Sequence, residues 1–259
     1  MTHGLQQVLS LAGKTALVTG SGRNIGRAIA IALAQQGANV VVNGHRDKAS
    51  VDAVVEEIRK AGGTAVGVMA DVASPDEVSA MVATAVSEFG SIDILVSNVG
   101  IRRMQPFLDI SIEDWNTVLG TNLSPAFYLA RSAIPHMQGQ KWGRIILISG
   151  FDGFWGHMTQ RAHNVTCKAG LHGLTMALAR EFGPDGITAN TVVPGAIDTE
   201  RDWTQYTHQP SKDEIAKQIP VGRFGAPKEV AAACTYLSSD AGGFVSGQAI
   251  HVNGGHYMY

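Results

Sequence analysis

Lys14-Thr15-Ala16-Leu17-Val18-Thr19-Gly20-Ser21-Gly22-Arg23-Asn24-Ile25-Gly26, running on through residues 28–36 to Gly37, decides how the rest of the chain is read. Residues 15–19 are short, apolar and β-branched, the composition of a buried strand. A glycine-rich turn follows at once. Residues 28–36 are good helix formers closed by Gly37, a C′ glycine. A strand that enters a helix through glycines is the phosphate-cradling half of a dinucleotide fold. Glycine lets the backbone approach a pyrophosphate, and the unpaired N–H groups of the first helical turn face its charge. The plainer alternative is a tight βα turn with no ligand, but a second strand at 39–42 follows in the right place.

Working outward, 259 residues fit one large α/β domain. With 45% hydrophobic and 16% charged residues the chain can bury a large core. A net charge of −2 leaves no basic footprint and argues against nucleic acid as a partner. Cys167 and Cys234 have no metal-ligand spacing and are too few for a disulfide framework, which fits reduced thiols in the cytoplasm. Residues 1–11 read as an N-terminal extension without the pattern of a signal peptide. No apolar run approaches the ~18 residues of a membrane span. The expectation is a soluble, cytoplasmic protein.

Strands and helices alternate along the chain. Helix 50–61 precedes a third strand at 65–69. Ser74-Pro75-Asp76-Glu77 reads as a capping box opening a helix. A fourth strand spans 92–96, and Ser111 opens one long helix running toward Met137. A fifth strand at 144–149, a helix at 163–182, a sixth strand at 188–193, a helix at 228–237 and a last strand at 249–252 complete the order. No linker, charge block or repeat divides it. The pattern predicts a single-domain α/β fold with a Rossmann-like, doubly wound parallel sheet over 12–259.

Set in this order, several short motifs resemble the short-chain dehydrogenase/reductase family over nearly the whole chain. They are Thr19-Gly20…Ile25-Gly26, Asp71-Val72, Asn98-Val99-Gly100, Asn122, Lys168-Ala169-Gly170, Asn190…Pro194-Gly195-Ala196-Ile197-Asp198-Thr199, Gly247-Gln248 and Asn253-Gly254-Gly255. The resemblance implies a homotetrameric, NAD(P)-dependent oxidoreductase acting on a small molecule. It places the coenzyme on Gly20, Ser21, Arg23, Asn24, Ile25 and Gly26, on Asn43, His45 and Arg46, and on Asp71 and Val72. Asn98, Val99, Gly100, Lys168, Pro194, Gly195, Ile197 and Thr199 complete that set. It makes residues 200–218, with Trp203, Tyr206 and His208, a substrate lid. Asp71 sits where a carboxylate accepts from an adenine amine; capping its own loop is the plainer role. Ser97 and Val99 are mild departures from the family pattern, and Phe244 to Gln248 resembles its interface-forming segment.

Two departures bear on chemistry. Asn24 stands where the family has a second glycine; asparagine tolerates a left-handed backbone best of the other residues, and its side chain is free to bond the coenzyme. After the second strand no acid precedes Asp47, while Arg46 and Arg23 suit a 2′-phosphate, so NADP is the preferred coenzyme and NAD the alternative. The family's catalytic set is a serine, a tyrosine four residues before a lysine, and an asparagine. Here Lys168 and Asn122 are present, but Asn164 occupies the tyrosine position and Gly150 or Phe151 the serine position. Ser149 lies one residue away, on the opposite strand face unless a bulge turns it. The amide of Asn164 does not titrate.

Three readings follow: a reductase of activated C=C, C=N or C=O groups; an enzyme in which His157, His163 or Asp152 supplies the proton; or a non-catalytic nucleotide-binding sensor or subunit. On the enzyme readings the catalytic residues are Lys168, Asn122 and Asn164. Gly150, Phe151, Asp152, His157, Arg103 and Trp203 then line the substrate, with Arg102 and Arg103 favouring an anionic one. His172, Trp115, Trp142 and Phe127 read as packing or subunit contacts.

Overall fold

The computed structural model describes residues 3–156, 159–200 and 211–258. Seven strands form one parallel sheet in the order β3-β2-β1-β4-β5-β6-β7. They are β1 (Thr15–Val18), β2 (Asn39–Gly44), β3 (Thr64–Met69), β4 (Ile94–Ser97), β5 (Gly143–Ile148), β6 (Ile187–Pro194) and β7 (Ala249–Val252). The helices are α1 (His3–Leu9), α2 (Asn24–Gln35), α3 (Lys48–Lys60), α4 (Pro75–Phe89), α5 (Ile112–Asn122), α6 (Ser124–Gln140), α7 (Ala162–Phe182), α8 (Lys212–Gln218) and α9 (Pro227–Ser238). Strand order reverses between β1 and β4, so their carboxyl ends part and leave a crevice.

Alternation along the strands divides the core into two layers. Ala16, Val18, Ile94, Val96, Ile146 and Ile148 face one way, against Ile29, Leu33, Val51, Val54, Val230 and Leu237 of α2, α3 and α9. Leu17, Leu95, Ile145 and Leu147 face the other, against Met81, Val82, Leu129, Met137, Leu171 and Leu178 of α4, α6 and α7. A sheet buried on both faces accounts for the near-continuous apolar runs in its central strands.

Three element ends differ from what the sequence predicts. α2 begins at Asn24, four residues before the run of strong helix formers, because the turn itself winds into the first helical turn. The helix expected to run from Ser111 toward Met137 is two, parted at Leu123. Pro125 lacks the N–H that a continuous helix would use and sits in the first turn of α6. At the start of α4, Ser74 Oγ accepts from Glu77 N, but the Glu77 carboxylate accepts from Asp71 N. The carboxylate thus ties the strand exit to the helix.

Candidate active site

The crevice is a cleft of ≈ 590 Å³ walled by the exits of β1, β4, β5 and β6 and by α7. Its coenzyme end begins at the glycine turn. Gly20 has φ +58 and Asn24 φ +52, so asparagine does hold a left-handed position here. A side chain on Gly26 would lie 2.3 Å from the Gly20 carbonyl, so that position admits only glycine. Asn98 braces the turn from β4: its N–H donates to Thr19 Oγ1 (2.9 Å) and its Nδ2 to Thr19 O (3.0 Å). Arg23, the N-cap of α2, makes no side-chain cap bond, leaving the first-turn N–H groups open to an anion. Arg23, Asn24 and Ile25 line the cleft there.

Several expected ligands are engaged elsewhere. The Asn24 side chain reaches across to Glu200, accepting from its N (2.9 Å) and donating to its O (3.3 Å). Asn43 is buried; its Oδ1 accepts from Gly20 N (3.2 Å) and its Nδ2 donates to Ala70 O (3.1 Å). It joins β1, β2 and β3 rather than facing the cleft. Ser21 Oγ likewise donates to Val18 O (2.7 Å). Asp71 Oδ1 caps its own loop through Ala73 N (2.9 Å), while Oδ2 lies 3.8 Å from His45 Nε2. Val72 is buried in the core. Arg23 and Arg46 are exposed and make no ion pair among the described residues.

At the other end Lys168 forms the floor. Its Nζ donates to Ile148 O (3.1 Å). A Cβ on Gly100 would lie 3.9 Å from Nζ, and one on Gly150 4.0 Å from Cε. Gly150 thus stands beside the lysine with ordinary van der Waals room for a side chain. Burial and the nearby Arg102 guanidinium bring the Lys168 ammonium down to about 8. The Ser149 hydroxyl donates to Lys168 O (3.0 Å), away from the ammonium, as strand alternation requires. Asn122 holds the β4 exit in two directions, through Ile101 O and Ile101 N, both at 2.8 Å. Asn164, one turn before Lys168, donates to the same Ile101 carbonyl (2.9 Å) and accepts from Arg103 N (3.4 Å). The role of Ile101 as the shared anchor of two asparagines leaves no mark in the sequence.

Of the substrate-side residues, Gly150, Phe151 and Asp152 line the cleft. Asp152 is held by the buried Arg161 (3.2 Å), a pairing across nine residues that no local pattern announces. Arg102 lines the cleft with no acidic partner among the described residues; Arg103, singled out from the sequence, instead turns to Asp114. His163 is fully buried, its Nδ1 accepting from Asn164 N (3.0 Å). Burial, then the Arg103 guanidinium, push its imidazole below the usual histidine range. Pro194, Gly195, Ile197 and Thr199 wall the β6 side. His157, Trp203, Tyr206 and His208 lie outside the described residues, as does most of the expected lid; α8 is its described part.

Residues 20–257 match the family described as Enoyl-(Acyl carrier protein) reductase. The chain is 43% identical over 245 residues to the 3-oxoacyl-(acyl-carrier-protein) reductase FabG of Staphylococcus aureus, covering 95% of this chain and 98% of that one. It is 41% identical over 250 residues to the FabG of Aquifex aeolicus, covering 96% and 99%. Among solved structures it is similar to a dehydrogenase/reductase from Sinorhizobium meliloti 1021, with TM-score 0.89 and 34% identity over 98% of this chain and 99% of that one.

Proposed function

The chain belongs to the short-chain dehydrogenase/reductase family and is an NAD(P)-dependent oxidoreductase; from that premise we propose that it reduces activated acceptors, with NADPH preferred. Conjugated enoyl thioesters and iminium-type substrates lead, and simple ketones are poor. The glycine turn and the open N–H groups of α2 fit a pyrophosphate, and unpaired Arg23 and Arg46 fit a 2′-phosphate. Bound there, the coenzyme supplies the hydride. Lys168 and Asn122 form the floor beside its nicotinamide end. The substrate enters past Arg102, Phe151 and Asp152. The assembly is a cytoplasmic homotetramer.

One observation carries the choice of acceptor. The position one turn before Lys168 holds an amide whose oxygen and nitrogen are both bound to the 101–103 backbone, and Gly150, just past β5, has no side chain. Neither Asn164 nor Gly150 can protonate a ketone oxygen. An enoyl thioester or an iminium ion asks less of that corner, because the electron pair left after hydride addition is delocalised or neutralises a cation. A binding-only role has no observation in its favour. The test is a fluorescence titration with both coenzymes, followed by turnover of enoyl thioesters, imines, 3-oxo thioesters and simple ketones. NADPH is expected to bind at least several-fold tighter than NADH, with the first two acceptor classes fastest. Equal affinities, or brisk turnover of simple ketones, overturn the reading.

A further inference from the structure

Among the described residues of the cleft, Asp152, beside the reacting corner, is tied to buried Arg161 as an ion pair. His163 is turned away and buried. Asn164 is spent on the loop. Lys168 differs from all three. Its ammonium lies between the exits of β4 and β5, flanked by Gly100 and Gly150, so no side chain covers it on either flank. One of its N–H groups goes to Ile148 O, and no other hydrogen bond of the ammonium exists among the described residues. We propose, building on the function above, that Lys168 itself delivers the proton that accompanies hydride transfer.

The electron-poor carbon of the acceptor takes a hydride, with its two electrons, from the reduced coenzyme. The π bond of the acceptor breaks and its electron pair moves to the neighbouring carbon or heteroatom. A new bond from that atom to hydrogen forms as an N–H bond of Lys168 breaks, leaving a neutral amine that solvent recharges. For an iminium acceptor, hydride addition already gives a neutral amine, so the step is required for enoyl thioesters. The charged groups facing Lys168 suit this. Arg102, from the loop after β4, makes the ammonium readier to release its proton; Asp152, from the turn after β5, and Cys167, on its own helix, oppose that. His172, one turn further along α7, is brought down to about 4 by burial, then by His251 and Lys168, and stays uncharged. With burial added, Lys168 sits at about 8, close to working pH, where a general acid is most effective.

The experiment has an arm free of coenzyme. Amine labelling of the coenzyme-free protein, read peptide by peptide from about pH 6 to about pH 11, should show Lys168 half-reactive near pH 8, well below ordinary lysines at about 10.4. In the second arm, reduction of an enoyl thioester by NADPH should fall about tenfold per pH unit above that point, since only the protonated amine donates. Lys168→Arg keeps the charge but does not titrate there. At saturating NADPH it should lose about 100-fold in rate and the alkaline fall with it. Labelling that breaks only near 10, a flat wild-type profile, or an alkaline fall that persists in Lys168→Arg would overturn the proposal. So would bound NADPH without enoyl turnover. Failure of NADPH to bind at all sinks the functional reading instead, and the labelling arm still decides the state of Lys168.

Discussion

Gly150 has an extended backbone, φ −177 and ψ 153, which any residue adopts. No backbone strain therefore requires glycine at this position. A Cβ there meets nothing nearer than Lys168 at 4.0 Å, so Gly150→Ser should fold as wild type does. Asn164 is different. Buried and bonded to Ile101 O and Arg103 N, it fastens the β4 exit to α7, and Asn164→Leu should cost about 1–3 kcal/mol in urea unfolding for the orphaned backbone groups. Asn164→Tyr meets the same loss but brings a phenol beside the ammonium, whose charge favours the phenolate. The double variant Gly150→Ser/Asn164→Tyr is expected to gain ketone reduction over wild type by at least tenfold, with each single variant well below it. No gain, with the double variant folded and binding coenzyme, would show that the corner lacks more than these two side chains. What could be read of this site in advance was residue type and spacing along the chain. What could not was engagement. Whether Asn24 faces a ligand or clasps Glu200 depends on a partner 176 residues away, and whether Arg102 or Arg103 reaches the cleft depends on Asp114, eleven residues on; no local pattern encodes either.

Among the elements, the strands were the most legible, because burial on both sheet faces writes itself into the sequence as unbroken apolar runs. Helix ends were less so: the α5–α6 break hides inside a continuing apolar periodicity, with only Ser124-Pro125 to mark it. The start of α9 shows how an element end can be secured by charge. Glu229 accepts from Ala226 N (2.7 Å) and takes the Arg223 guanidinium on both oxygens (2.8 Å each). The Arg223 bond, then the backbone bond, hold its carboxyl down at about 2. The folded carboxylate is thus favoured relative to the unfolded one. That stability is fully present above about pH 4.5 and is lost as pH falls toward about 2. Glu229→Gln should lower the melting temperature at pH 7 and lower it much less near pH 2, where about half of the wild-type carboxyls are protonated. A constant difference across that range would assign the effect to packing instead.

Over the whole molecule, the crevice follows from chain order alone, since reversing strand order between β1 and β4 parts the loops at their carboxyl ends. The same topology leaves surface that one copy does not cover. β7 ends the sheet as an edge strand with only half-buried residues, and Phe244, Val221 and Met258 of the C-terminal segment are exposed. Phe127 on α6 and Met176 on α7 form a second exposed apolar set on the opposite layer. Edge strands and large exposed apolar side chains are costly to leave in water. Phe107, Leu108 and Ile112, at the entry to α5, are exposed as well. A closed four-copy assembly with dihedral symmetry needs two different self-complementary interfaces, and the edge-strand set and the α6–α7 set are the pair we assign to them. The wild-type protein is therefore expected to elute as a tetramer by light scattering. A charge in either set should break one interface and leave the other, so Phe244→Glu and Met176→Glu should each give dimers and the pair together monomers. A wild-type monomer, or a tetramer that tolerates both charges, would place the subunit contacts elsewhere.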